Sequence, residues 1–344
     1  MSSSENNLKT PPVRALVLSG GGGRGAYEVG VMQACAERDF HFDWIVGTSI
    51  GAINACLAGQ NDLDKLIDLW LRIRSQDIYK FPDPGHLRRV VFGQQLGLLD
   101  TSPLENLLRS CINLERLKAG PSKVGFVTTD LCNLTTRLIT VDEINSQDDL
   151  IDVLMASSAI PLLFPPRRLF GEGCWIDGGL VRNTPIQAAI NLGATEIYAV
   201  LVEPNSIDNC PNSLVQLVSR LAEIVFDHSA RSGIAHVNQH NRLADLGDLR
   251  NYRSNNFCLI ENKTEECKSC QSNGGGHDDD QSSPMSAFDF VNLANQKELK
   301  RVRLFIVTPA RQVVGSILDI DPLASNWLLR LGHDDIIRKC VAVA

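Results

Sequence analysis

The sequence predicts an α/β fold of three layers, α/β/α, with a mostly parallel central sheet. Two short apolar runs, residues 13–18 (VRALVL) and 42–46 (FDWIV), each lead into a turn that contains glycine. Each turn opens a segment of helical spacing, over residues 26–38 and 50–58. Strand, helix, strand, helix in immediate succession calls for parallel strands whose connecting helices cover the sheet.

The remaining elements follow along the chain. Residues 1–12 are polar and are expected to form a disordered tail. In the first helix Tyr27, Val31, Ala34 and Cys35 recur at helical spacing. Further strands are expected over residues 123–129, 136–141, 195–202 and 301–308. Helices are expected over residues 63–74, 103–110, 150–157, 185–191, 214–246 and 326–340. Residues 81–99 mix proline and glycine turns with Val90, Val91, Phe92, Leu98 and Leu99, beside Arg88 and Arg89; they read as a packed excursion or an interfacial lid. Residues 251–300 read as a variable insertion, with a polar, glycine- and serine-rich flexible segment at 261–284. Residues 301–308 resume a core-like strand, so the expectation is one catalytic domain over 13–250 on which 301–344 also packs.

Composition excludes several classes. At 44% hydrophobic and 21% charged, the 344 residues suit a soluble globular protein. A formal charge of −7 argues against a nucleic-acid partner, which favours a basic face. There is no signal-like stretch at the start and no long apolar run, so a cytoplasmic protein is expected, at most peripheral to a membrane. The ten cysteines are scattered, several inside apolar patterns, which fits a reducing compartment.

The chemistry begins at Gly47-Thr48-Ser49-Ile50-Gly51. A serine framed by glycines between a strand and a helix sits on a tight turn that exposes its hydroxyl. Small residues at Gly47 and Gly51 let the following helix approach the strand. Serine is a poor nucleophile unless a base takes its proton and donors meet the oxyanion. Donors are offered by Gly20-Gly21-Gly22-Gly23-Arg24-Gly25, after the first strand and at the start of the first helix. Gly20, Gly22 and Gly25 also satisfy G-x-G-x-x-G, a dinucleotide loop. That reading wants an acid at the end of the second strand, where this chain has GTSIG.

The base is open between two residues. His333 fits a late-histidine order, although it falls in the C-terminal helix. Asp177 ends the apolar run Trp175-Ile176 and is followed by Gly178 and Gly179, as at a strand end. The alternatives to a Ser-Asp hydrolase are a His-assisted carboxylesterase or a non-catalytic nucleotide- or lipid-binding module. Cys258, Cys267, Cys270 and His277 could in number ligate zinc, but a single C-x-x-C in a polar segment reads as surface thiols, and no metal site is expected.

Taken together, these pieces resemble the patatin-like phospholipase family. Gly20 to Gly25 is similar to its G-G-G-x-R-G motif, Gly47 to Gly51 with Ala52 to its nucleophile elbow, and Asp177-Gly178-Gly179 to its D-G-[GA] motif. Ala156-Ser157-Ser158-Ala159-Ile160-Pro161 with Phe164-Pro165-Pro166, and Asn183 with Pro185, resemble two further blocks. The resemblance implies a patatin-like fold and a dyad of Ser49 as nucleophile and Asp177 as base. It also implies an oxyanion hole from the amides of Gly21, Gly22 and Gly23. Arg24 would fix the loop or meet a substrate phosphate. The implied substrate is an acyl lipid, met as a monomer or in transient contact with a membrane surface, and no metal or other cofactor is implied.

Overall fold

β1 (Arg14–Leu18) and β2 (Trp44–Thr48) are buried along nearly their whole length. Burial on both faces is the pattern of parallel strands covered by helices. They pair in parallel with Leu18 beside Gly47, so the turns that follow them emerge side by side at one edge of the sheet. The structure, a computed structural model, describes residues 11–202, 210–246, 300–311, 313 and 317–341. The expected tail, up to residue 10, and the insertion over 251–300, up to residue 299, lie outside the described residues. Contacts divide the chain into two units, residues 1–234 with 302–344 and residues 235–301; the sheet and the site below belong to the first.

The sheet is mixed and mostly parallel, in the order β5-β6-β3-β2-β1-β7-β8, with β4 also on β3. On one side of β1 lie β7 (Glu196–Val200) and β8 (Arg303–Val307), both parallel to it. On the other side β2 pairs in parallel with β3 (Lys123–Asp130). The antiparallel strands are β4 (Thr135–Thr140), β5 (Arg167–Leu169) and β6 (Glu172–Asp177).

β3 positions the site. β4 occupies one edge of β3 from Gly125 to Asp130. β2 takes the other edge from Lys123 to Val127, and β6 continues that edge from Thr128 to Asp130. β2 and β6 therefore approach each other from opposite directions and end on neighbouring positions of β3.

Helices flank the sheet. α1 (Ala26–Ala36) follows the glycine loop through a 3-10 turn, and α2 (Ile50–Gly59) follows Ser49. α3 (Leu63–Trp70) comes next; the helical pattern expected to residue 74 stops there because the chain turns at Leu71–Arg72 to bury Ile73. The expected excursion contains α4 (Pro84–Val91), with Pro84 at its first position and Asp83 capping His86 N–H at 2.7 Å. α5 (Ser102–Cys111) and α6 (Leu114–Lys118) lead into β3. α7 (Gln147–Ser157) is capped by the Ser146 hydroxyl. α8 (Gly179–Arg182) and α9 (Ile186–Asn191) follow β6, and α10 (Leu214–Leu246) spans the predicted long helix.

α11 (Pro322–Val341) closes the first unit against α1. The two helices touch backbone to backbone. A Cβ on Gly30 would lie 1.9 Å from the Leu329 carbonyl oxygen, and one on Gly332 would lie 2.0 Å from that of Tyr27. Asp335, buried in this seam, accepts hydrogen bonds from the Tyr27 hydroxyl at 3.2 Å and the Ala310 amide at 2.8 Å.

Candidate active site

β2 runs two residues further than the apolar run indicated, through Gly47 and Thr48, and delivers Ser49 directly at the turn into α2. Ser49 takes φ 56° and ψ −126°, a left-handed conformation for a residue with a Cβ. Such a conformation costs about 1–3 kcal/mol and persists only where the surroundings enforce it. Here the enforcement is visible. The Ser157 hydroxyl accepts the Ser49 N–H at 2.9 Å and donates to the Val127 carbonyl at 2.8 Å. The Thr48 hydroxyl donates to the Arg182 carbonyl at 3.0 Å. A Cβ on Gly47 would lie 2.1 Å from the Gly51 carbonyl oxygen, and one on Gly51 would lie 2.5 Å from that of Leu18, so neither position admits a side chain.

Asp177 is the last residue of β6 and is completely buried. Its N–H donates to the Ala159 carbonyl at 3.0 Å, and its Oδ1 accepts the Gly179 N–H at 2.7 Å. Burial pushes the carboxyl up to about 7 from its usual value, against the pull of the Ser49 hydroxyl and the Gly179 amide. The Ser49 hydroxyl is thus close enough to act on this carboxyl, yet Oδ2 carries no formed hydrogen bond. Gly178 lies over β3, where a Cβ would sit 2.4 Å from the Val127 carbonyl oxygen.

The glycine loop meets this pair from β1. Gly20 is bound twice to Asn183: its N–H donates to the Asn183 carbonyl at 3.2 Å, and its carbonyl accepts Asn183 Nδ2 at 3.1 Å. A Cβ on Gly20 would lie 3.0 Å from Ser49 Cβ, so the loop runs directly beside the serine. Three amides, of Gly21, Gly22 and Gly23, were expected to face an oxyanion. The Gly23 N–H is instead committed to the Ile317 carbonyl at 3.2 Å, because residues 317–320 lie against this loop. Of the predicted set Gly21 and Gly22 remain as candidates, with the positive N-terminus of α2 nearby.

Arg24 is buried and does not face solvent. Its Nη1 is 3.1 Å from Glu223 on α10, which ties the loop to that helix. At the end of the loop Asn54 Nδ2 donates to the Gly25 carbonyl at 3.0 Å and to Glu28 at 2.9 Å, while Trp70 Nε1 donates to Asn54 Oδ1 at 3.0 Å. Ser157, Glu223, Asn54 and Ile317 escaped the sequence reading as supports of the site. Ser157 stood in a recognised block, but its two partners come from β3 and from the turn after β2.

A sequence profile described as patatin-like phospholipase matches residues 16–190, half of the chain. The chain belongs to the patatin-like phospholipase family. Among curated proteins it is similar to an uncharacterized NTE family protein of Mycobacterium tuberculosis, 25% identical over 62% of this chain and 58% of the relative. It is similar to the triacylglycerol lipase ptl3 of Schizosaccharomyces pombe, 23% identical over 64% of this chain and 53% of that one. Lysophospholipase nte1 of Aspergillus terreus is 30% identical over 56% of this chain and 12% of its own length. The chain thus spans little more than half the length of the first two relatives and a small part of the third.

In this patatin-like chain His333 and His86 are engaged away from Ser49 and Asp177. His333 on α11 points Nε2 at Glu37, 2.8 Å away, just past the far end of α1. α1 has eleven residues, about 16 Å of helix, between the glycine loop and that contact. His86 is turned into the fold towards the Gly97 carbonyl at 2.9 Å, and His228 is exposed on α10. Cys258, Cys267, Cys270 and His277 lie outside the described residues, and among the described residues no cluster of His, Cys, Asp and Glu could hold a metal ion. No described helix is long and apolar enough to cross a membrane.

Proposed function

We propose that this chain is a lipid acyl hydrolase that cleaves carboxylic esters of phospholipids, lysophospholipids or related acyl lipids. Ser49 attacks the ester carbonyl and Asp177 takes the hydroxyl proton. One observation carries the reading: the strained Ser49 and the buried Asp177 adjoin, with the carboxyl held near pH 7. An ordinary aspartate, with a pKa of about 3.9, is a weak base for serine; one near 7 is matched to work at neutral pH.

The steps balance without further groups. The Ser49 oxygen bonds to the acyl carbon while its proton passes to Asp177. The amides of Gly21 and Gly22 receive the negative charge on the carbonyl oxygen; one well-placed donor in such a hole is worth about 3–4 kcal/mol. Asp177 returns the proton to the leaving alcohol, and the acyl-enzyme forms. Asp177 then accepts a proton from water, whose oxygen attacks the acyl carbon. The proton goes back to Ser49 as the fatty acid leaves. No step calls for a metal or other cofactor.

The substrate class is supported by family membership and by relatives whose names state triacylglycerol lipase and lysophospholipase activity. The deciding experiment is a panel of acyl-lipid and short-chain esters, run on the protein beside Ser49→Ala and Asp177→Asn. Hydrolysis by the parent and none by either folded variant supports the reading. Turnover retained by Ser49→Ala removes it.

A further inference from the structure

α4 turns its apolar side chains towards water. The residue it buries is His86, while Leu87 and Val91, one turn apart, are exposed, Val91 at 72%. Phe92 follows at 68% exposed, with Phe81 before the helix and Leu96 after it also exposed. The helix is an ordered element, held at its start by Asp83 and underneath by the contact of His86 with the Gly97 carbonyl. An exposed apolar patch on an ordered element marks an interaction surface.

The same surface reaches the site. Leu98 N–H donates to the Leu162 carbonyl at 2.9 Å, and Leu99 N–H to that of Leu163 at 2.8 Å. Leu162 is 70% exposed and takes φ 69°, so a bulky apolar residue is held outward in a left-handed conformation. Three residues before it, the Ala159 carbonyl accepts the Asp177 N–H at 3.0 Å. Three residues of chain reach at most about 11 Å, so the patch begins within that distance of Ala159, which is itself bonded to the Asp177 backbone.

Charge selects the occupant. Within residues 80–99 stand Lys80, Arg88 and Arg89 against Asp83 alone, in a chain whose net charge is −7. The Arg88 guanidinium lies over the Phe92 ring, 5.8 Å from its centre. Protruding aromatic and aliphatic side chains set among cations fit the boundary between acyl chains and anionic head groups.

We propose that Phe81, Leu87, Val91, Phe92 and Leu162, with Arg88 and Arg89, dock the protein on the surface of an anionic lipid bilayer. Docking sets the carboxyl edge of the sheet over the source of substrate; that consequence rests on the acyl-hydrolase reading, and docking itself does not.

The test separates the two. The full chain carrying Ser49→Ala is sedimented with phosphatidylcholine vesicles, with and without phosphatidylglycerol, and turnover plays no part. Binding is expected to the phosphatidylglycerol vesicles and to weaken as salt is raised. Arg88→Glu with Arg89→Glu, and separately Val91→Asp with Phe92→Asp, are each expected to weaken it by about tenfold or more. With Ser49 restored, the same pairs leave hydrolysis of a short-chain soluble ester unchanged and lower hydrolysis of vesicle lipid. Failure of the Ser49→Ala chain to bind either vesicle overturns the proposal, as does binding indifferent to both pairs. A dimer in solution that Val91→Asp with Phe92→Asp dissociates would assign the face to a second copy instead. Vesicle binding that obeys the prediction in a protein hydrolysing no ester keeps the docking surface and removes the acyl-hydrolase reading.

Discussion

Thr48 and Asp177 end their strands on consecutive positions of β3, Thr48 opposite Val127 and Asp177 opposite Thr128. One strand arrives parallel and the other antiparallel, so their ends meet on a shared edge. Ser49, one residue past Thr48, therefore adjoins the Asp177 carboxyl. The approach depends on backbone pairing and not on flexible side chains, which makes it rigid enough for the proposed proton transfer.

Ser49→Ala and Asp177→Asn should each lower kcat/KM for an ester substrate by at least about 10⁴-fold, with circular dichroism unchanged. His333→Ala should leave kcat/KM intact, because its ring contacts Glu37 past the far end of α1. A large loss in His333→Ala with normal folding would restore the histidine-assisted alternative.

The pH profile follows from the Asp177 carboxyl, held at about 7 by burial. The base works only when deprotonated, so kcat/KM for a neutral ester should rise through pH 7 and level off above it. A profile that is already flat from pH 5 upward would show an ordinary aspartate and contradict the assignment.

The same carboxyl makes stability depend on pH. The Asp177 pKa is higher in the folded chain than in the unfolded one, so protonation favours folding. This contribution is whole below about pH 4 and is lost as pH rises through 7. Asp177→Asn removes the buried charge and keeps an acceptor for the Gly179 amide. The variant should be more stable than the parent at pH 8, by about 1–3 kcal/mol, since a tenfold change in proton affinity is worth about 1.4 kcal/mol. The advantage should shrink towards pH 4. Denaturant melts at several pH values measure it, and a constant difference would refute the linkage.

Ser157→Ala removes the hydroxyl that joins the Ser49 amide to the Val127 carbonyl. Two buried groups lose their partner, which costs about 1–3 kcal/mol of stability. The elbow is no longer fixed, so kcat should fall about tenfold or more while KM changes little. Equal loss in stability with full kcat would make Ser157 a packing residue only.

Arg24 and Glu223 form a buried ion pair. Glu223→Gln should destabilise the fold by about 3–5 kcal/mol, since it takes the carboxylate charge away from the buried Arg24 guanidinium and from Arg220. Arg24→Met with Glu223→Leu should recover much of that loss. Thermal or urea unfolding of the two variants separates a structural pair from a substrate-phosphate contact, for which neither change would matter.

Much was legible in the sequence because its signals are local. Apolar runs gave the strands near residues 14–18 and 303–307, and helical spacing gave the helices that begin at Ala26, Ile50 and Leu214. Glycines marked the two turns, since the backbone there passes too close for a Cβ. α4 was not legible, because proline and glycine at its first positions read as a loop while they in fact start a helix.

By itself the sequence determined the layered α/β fold, the turn on which Ser49 sits and the pairing of that serine with a particular family of motifs. Only the tertiary structure decided that β6 would fill the edge of β3 left free beyond β2, that Ser157 would reach Ser49 from 108 residues away, and that Ile317 would claim the Gly23 amide. The reason is physical. Helix and turn preferences are settled among near neighbours, whereas a strand edge, a buried carboxyl and the last partner of an amide exist only once distant segments have excluded water from the same place.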